Sequence, residues 1–122
     1  MGRILIIGDD LDIRQWLRAI LESDGHDITG AEDELEAIDL HKIKSFDLII
    51  TDIMMPKKSG FEVIKELKTS DPDLPIIVVY GGGRFKTAAH AKIASDLGAD
   101  HAMKKPIDQA QLKKTVNSYL AA

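Results

Sequence analysis

The chain has 122 residues, a formal charge of −4 and no cysteine. Its length suits one compact domain with a core of its own and is too short for two. The acidic balance argues against a direct nucleic-acid partner, which would need clustered Lys and Arg, and the missing cysteines exclude disulfides, thiol nucleophiles and thiolate zinc sites.

In chain order, Ile4, Leu5, Ile6 and Ile7 form an apolar run before Gly8, Asp9 and Asp10. It is too short for a signal peptide or a membrane span and reads as a buried strand. Met1-Gly2-Arg3 lacks the Ser or Thr of a myristoylation signal, so a soluble cytoplasmic chain without membrane contact is expected. Ile13, Trp16, Leu17, Ile20 and Leu21 then recur at helical spacing, and Gly25 supplies a stop before a weaker strand at residues 26–30. Residues 32–44 carry Leu35 and Ile38 on a charged background and are predicted helical from their place in the alternation.

Leu48, Ile49 and Ile50 give a second strong strand, and Phe61, Ile64 and Leu67 a helical stripe. A third apolar run follows at residues 76–79. Ala89, Ile93 and Leu97 predict another helix, which Gly98 ends before a strand at residues 100–104. Leu112, Val116, Tyr119 and Leu120 mark the last helix. Five strand-helix units imply an α/β fold, with a parallel sheet covered on both faces and right-handed crossovers. Residues 1–122 are expected to form one domain with no output domain attached.

Ligands in such sheets bind outside the carboxyl ends of the strands, and those ends are polar here: Gly8, Asp9 and Asp10; Asp52; Tyr80 and Gly81; Lys104, Lys105 and Pro106. Taken singly, Asp9, Asp10 or Asp12 reads as a helix cap and Lys105 as a solvated charge. Taken together, carboxylates ending strands that can lie roughly 5 Å apart would repel without a cation or proton between them. With oxygen donors and no cysteine, Mg²⁺ is the natural metal and zinc is disfavoured. His26, His41, His90 and His101 lie on separate elements without ligand spacing and read as surface or packing residues.

The run Phe46-Asp47-Leu48-Ile49-Ile50-Thr51-Asp52-Ile53-Met54-Met55-Pro56-Lys57-Lys58-Ser59-Gly60 closely resembles the phosphoacceptor strand and following loop of response-regulator receiver domains. Residues 3–14, 75–79 and 98–106 resemble the same family's acidic start, fourth strand and lysine-bearing fifth strand, so the likeness spans the chain. It implies a flavodoxin-like (βα)5 three-layer sandwich with strand order 2-1-3-4-5. It also implies a stand-alone receiver of a two-component or phosphorelay system, phosphorylated on Asp52 and catalysing only its own phosphorylation and dephosphorylation. By the same resemblance Asp9, Asp52 and the main-chain carbonyl of Met54 would hold Mg²⁺, with Asp10 a further candidate. Lys105 would pair with Asp52 and then with the phosphoryl group, the bond to Pro106 would be a candidate cis bond, and the Gly81 N–H would face a phosphoryl oxygen. The implied partners are a histidine kinase or phosphotransfer protein as donor and a downstream protein target, with the chain a monomer or weak dimer.

Three positions depart from the family's pattern. Counting back from Asp12-Ile13-Arg14, the usual acidic pair falls on Gly8 and Asp9, so one carboxylate is missing and weaker Mg²⁺ binding is expected. Tyr80 stands where Ser or Thr is usual, and Ala102 where an aromatic switch residue is usual. The two exceptions suggest a trade, with the Tyr80 ring filling the space of the absent aromatic. Gly81-Gly82-Gly83 reads as a loop and not as a nucleotide fingerprint. A haloacid-dehalogenase-like phosphohydrolase would need a second Asp where Met54 stands, and a flavodoxin would not carry an acidic first loop. The alternative is a degenerate receiver that acts as a phosphorylation-independent interaction module.

Overall fold

The computed structural model describes residues 2–8, 10–52, 60–80, 92, 95–96, 98–104 and 107–120. Five parallel strands, β1 (Arg3–Ile7), β2 (Asp27–Ala31), β3 (Leu48–Asp52), β4 (Ile76–Tyr80) and β5 (His101–Lys104), form one sheet in the order β2-β1-β3-β4-β5. The helices delimited among the described residues are α1 (Leu11–Ser23), α2 (Glu34–Lys44), α3 (Gly60–Ser70) and α4 (Gln109–Leu120). Of the expected fourth helix, Lys92, Ser95 and Asp96 are described and helical, whereas its marker residues Ala89, Ile93 and Leu97 lie outside the described residues.

The strands lack apolar/polar alternation because both of their faces are buried. Leu5, Ile7, Ile49, Ile76 and Val78 point to one side, where Ala37 of α2 and Ile64 and Leu67 of α3 cover them. Ile4, Ile6, Leu48, Ile50, Ile77 and Val79 point to the other, against Leu17, Ile20 and Leu21 of α1 and Leu112 and Val116 of α4. Each fully buried side chain of this kind stabilises the fold by about 1.5–3 kcal/mol relative to exposure. The two glycine stops have positive φ, +91° at Gly25 and +117° at Gly98, a left-handed conformation that favours glycine.

Helix phase differs from the sequence pattern at two residues. Trp16 is 44% exposed, because it sits on the flank of the α1 stripe and Leu17, Ile20 and Leu21 face inward. Leu35 is 65% exposed: Asp33 caps α2 by accepting from the Glu36 N–H, which turns Ala37 inward and Leu35 outward. β5 begins at His101, and Asp100 just before it already bonds to β4, its N–H donating to the Ile76 carbonyl at 2.8 Å. Its carboxylate accepts from the Ile76 N–H at 2.8 Å and pairs with the Lys68 ammonium at 2.9 Å.

Among the described histidines, His26 and His41 pack as expected. The His26 Nδ1 accepts from the Gly2 N–H at 3.1 Å, and its Nε2 lies 3.0 Å from the Asn117 Oδ1. The His41 Nδ1 accepts from the Phe46 N–H at 3.1 Å.

Candidate functional site

Asp52 is the last residue of β3 and is half-buried, directly after the fully buried Thr51. Pairing of Ile7 with Thr51 and of Asp52 with Val79 places the end of β3 between the ends of β1 and β4. β1 and β3 are therefore neighbours, as the strand-end argument required. Gly8 follows β1, and a Cβ built on it would lie 3.6 Å from the Asp52 Cβ, an ordinary contact. A side chain at position 8 would thus stand beside the Asp52 carboxylate, and this chain has none there.

Asp10 has a defined structural task. Its Oδ1 accepts from the Asp12 and Ile13 N–H groups at 3.0 and 3.3 Å, capping α1. Such a cap is worth about 1 kcal/mol. Asp10 thus performs the capping role weighed for these acids. Asp9, Met54, Gly81, Lys105 and Pro106 lie outside the described residues; of the rest, Gly8, Asp10 and Asp52 line one small cavity, whereas Tyr80 and Ala102 pack against the core cluster on the other face of the sheet.

Tyr80 ends β4 opposite Lys104, and Val78 pairs with Ala102. Tyr80 and Ala102 are both partly buried and pack against the same core cluster, so they share one face of the sheet on adjacent strands. Val79, which precedes Tyr80, points to the opposite face and lines a cavity of about 10 Å³ with Gly8, Asp10, Arg14, Ile50 and Asp52. That space admits about one water.

Arg14 is a neighbour that the acidic pattern did not flag. It is half-buried in the first turns of α1, and its Nη1 donates to the main-chain carbonyl of Gly8. Its only sequence signal is an offset of six residues from Gly8, which says nothing about contact until α1 folds back over β1. A larger cavity of about 230 Å³ lies toward β2, lined by Arg14, Arg18, Glu32 and Glu36 among others, and does not include Asp52. The small cavity is the one at which the ends of β1 and β3 meet, the place where open α/β sheets bind their ligands.

Among the described residues, no group of three metal-ligating side chains gathers. The donor chemistry at this end fits an oxygen-seeking cation: a half-buried carboxylate on Asp52, no side chain beside it at Gly8, and no imidazole or thiolate among the described residues that line the small cavity.

A family model described as the response regulator receiver domain matches residues 4–117. The chain belongs to this family. Among curated relatives of this receiver domain, response regulator MprA of Mycobacterium sp. (strain KMS) is 33% identical over 119 residues, which is 97% of this chain and 50% of the relative. The version from Mycobacterium avium (strain 104) is 32% identical over the same span. The receiver domain thus spans about half the length of these relatives. Of the solved structures, the response regulator receiver domain protein of Clostridium thermocellum superposes with a TM-score of 0.90 at 29% identity, covering 99% of this chain and 95% of that one. NtrX of Brucella abortus gives 0.91 at 26% identity, covering 98% of this chain and 27% of its own. The fold is flavodoxin-like, and receiver domains are signalling domains of two-component systems and not classical enzymes.

Proposed function

We propose that this receiver domain takes a phosphoryl group on Asp52, and that the observation carrying this reading is the half-buried carboxylate at the end of β3, flanked by the ends of β1 and β4. The family's donors are histidine kinases and phosphotransfer proteins. An Asp52 carboxylate oxygen attacks the phosphorus of a phosphohistidine in line, the P–N bond breaks, and its electron pair with a proton goes to the imidazole. The product is an acyl phosphate. Hydrolysis then returns the carboxylate and inorganic phosphate. The protein's own task is positioning and charge neutralisation.

Mg²⁺ would be held by Asp9, Asp52 and the Met54 carbonyl, and would supply neutralisation of the phosphoryl oxygens when bound. Lys105 would contribute a point charge to the same oxygens and the Gly81 N–H a hydrogen bond. Asp10 is the weakest member of the proposed ligand set, because its Oδ1 already caps α1. Output would pass to a downstream protein target. No described helix is long and apolar enough to cross a membrane, and the proposed setting is the cytoplasm.

The test is incubation of the native protein and Asp52→Asn with Mg²⁺ and a small phosphodonor, followed by intact mass measurement. A single phosphoryl adduct on the native protein, absent in the variant, is expected. No adduct across several donors would replace this reading with that of a phosphorylation-independent interaction module.

A further inference from the structure

Gly8 removes a negative charge from the end of β1, while Arg14 brings a positive one to the same place. The Arg14 guanidinium donates to the Gly8 carbonyl and lines the small cavity with Gly8 and Asp52. Among the described residues no carboxylate lies within 4.0 Å of it, whereas Arg18, one turn on, pairs with Glu22 at 3.3 Å and donates to the Ile28 carbonyl at 3.2 Å. Glu32 and Glu36 share the larger cavity with Arg14 but stand beyond ion-pairing distance. Among the described residues the half-buried charge of Arg14 therefore meets a main-chain carbonyl at the strand ends and no carboxylate, in surroundings where screening is weaker than in bulk water.

We propose that Arg14 sets the metal affinity of this domain: its guanidinium, fixed on the Gly8 carbonyl, opposes a divalent cation beside Asp52 and stands in for part of that cation's charge. This rests on the Mg²⁺ reading of the site. A main-chain carbonyl cannot neutralise a guanidinium as a carboxylate would, so the missing acid at position 8 weakens the cation site twice. It withholds a ligand charge, and it leaves Arg14 without an ion-pairing carboxylate among the described residues. The two effects are coupled through one contact, and the coupling can be measured.

The experiment is calorimetric titration with Mg²⁺ alone, at low salt and without phosphodonor, on the native protein, Arg14→Gln, Arg14→Lys, Arg18→Gln, Gly8→Asp and the Gly8→Asp/Arg14→Gln double variant. Thermal melts check that each is folded. Arg14→Gln should bind Mg²⁺ about three- to tenfold more tightly, Arg14→Lys should bind as the native protein does, and Arg18→Gln should change affinity less than about twofold. Gly8→Asp should tighten binding by roughly tenfold, and Arg14→Gln should then add less than it does in the native background, because the new carboxylate partly compensates the guanidinium. Should Arg14→Gln fail to fold, a salt titration of native protein against Arg14→Lys and Gly8→Asp reads the same charge coupling.

Unchanged or weaker binding in Arg14→Gln, with native binding intact, would overturn this proposal alone. Absence of Mg²⁺ binding in every variant, Gly8→Asp included, would overturn it together with the metal reading on which it rests.

Discussion

At the scale of single residues, Tyr80 and Ala102 share a face of the sheet on adjacent strands and pack against one cluster. Parallel strands bring diagonal neighbours within reach of a long ring. The proposed trade then has an energetic consequence: an aromatic at position 102 would compete with the Tyr80 ring for the same space. Ala102→Tyr should cost about 1–3 kcal/mol in the native background, as overpacking does, and clearly less in Tyr80→Ala. Urea denaturation of the four proteins in the cycle measures this. Equal costs in both backgrounds would show that the two positions do not share space. A structure with a phosphoryl mimic bonded to the Tyr80 hydroxyl in the usual Ser or Thr place would also end the trade reading.

At the scale of elements, α4 is tied to the sheet by more than its apolar stripe. The Tyr119 hydroxyl donates to the Asp100 carbonyl at 2.8 Å, and the ring meets His101 edge-on with centroids 6.4 Å apart. Burial, with a contribution from the negative charge of Asp100, raises the Tyr119 pKa above the ordinary value of 10.0. A raised folded-state value means that the native state holds the proton longer than the unfolded chain does. The associated stability is complete below pH 10 and is lost as pH rises through the raised value. Tyr119→Phe should remove that alkaline loss and, below it, cost about 0.5–1 kcal/mol for the exposed hydrogen bond. Urea midpoints of both proteins between pH 8 and 11 provide the check: parallel curves would refute the linkage.

At the scale of the whole molecule, one sheet is the shared wall of two cores, so neither layer of helices can detach without exposing strand faces. Leu5 is buried in the cluster facing α2 and α3, and Leu17 in the cluster facing α1 and α4. Leu5→Ala and Leu17→Ala should each destabilise by about 2–5 kcal/mol, and each should shift one common transition. Unfolding followed by Trp16 fluorescence and by far-ultraviolet circular dichroism should coincide for both variants. Separate midpoints for the two probes would mean that the layers unfold independently.

The sequence by itself determined the alternation of elements. Strands buried on both faces must be apolar throughout, and glycine marks the turns at Gly25 and Gly98. It also determined which acids end the strands, and the motif around Asp52 carried the family. Neighbour relations were decided by tertiary structure. Asp10 became the cap of α1, Ala37 and not Leu35 faced the core, and Arg14 came to rest on the Gly8 carbonyl. Each of these depends on how a helix is rotated and where it lies against the sheet, which local periodicity fixes only loosely. The charge environment of Asp52 is therefore a property of the packed ends of β1, β3 and α1, and no stretch of sequence contains it alone.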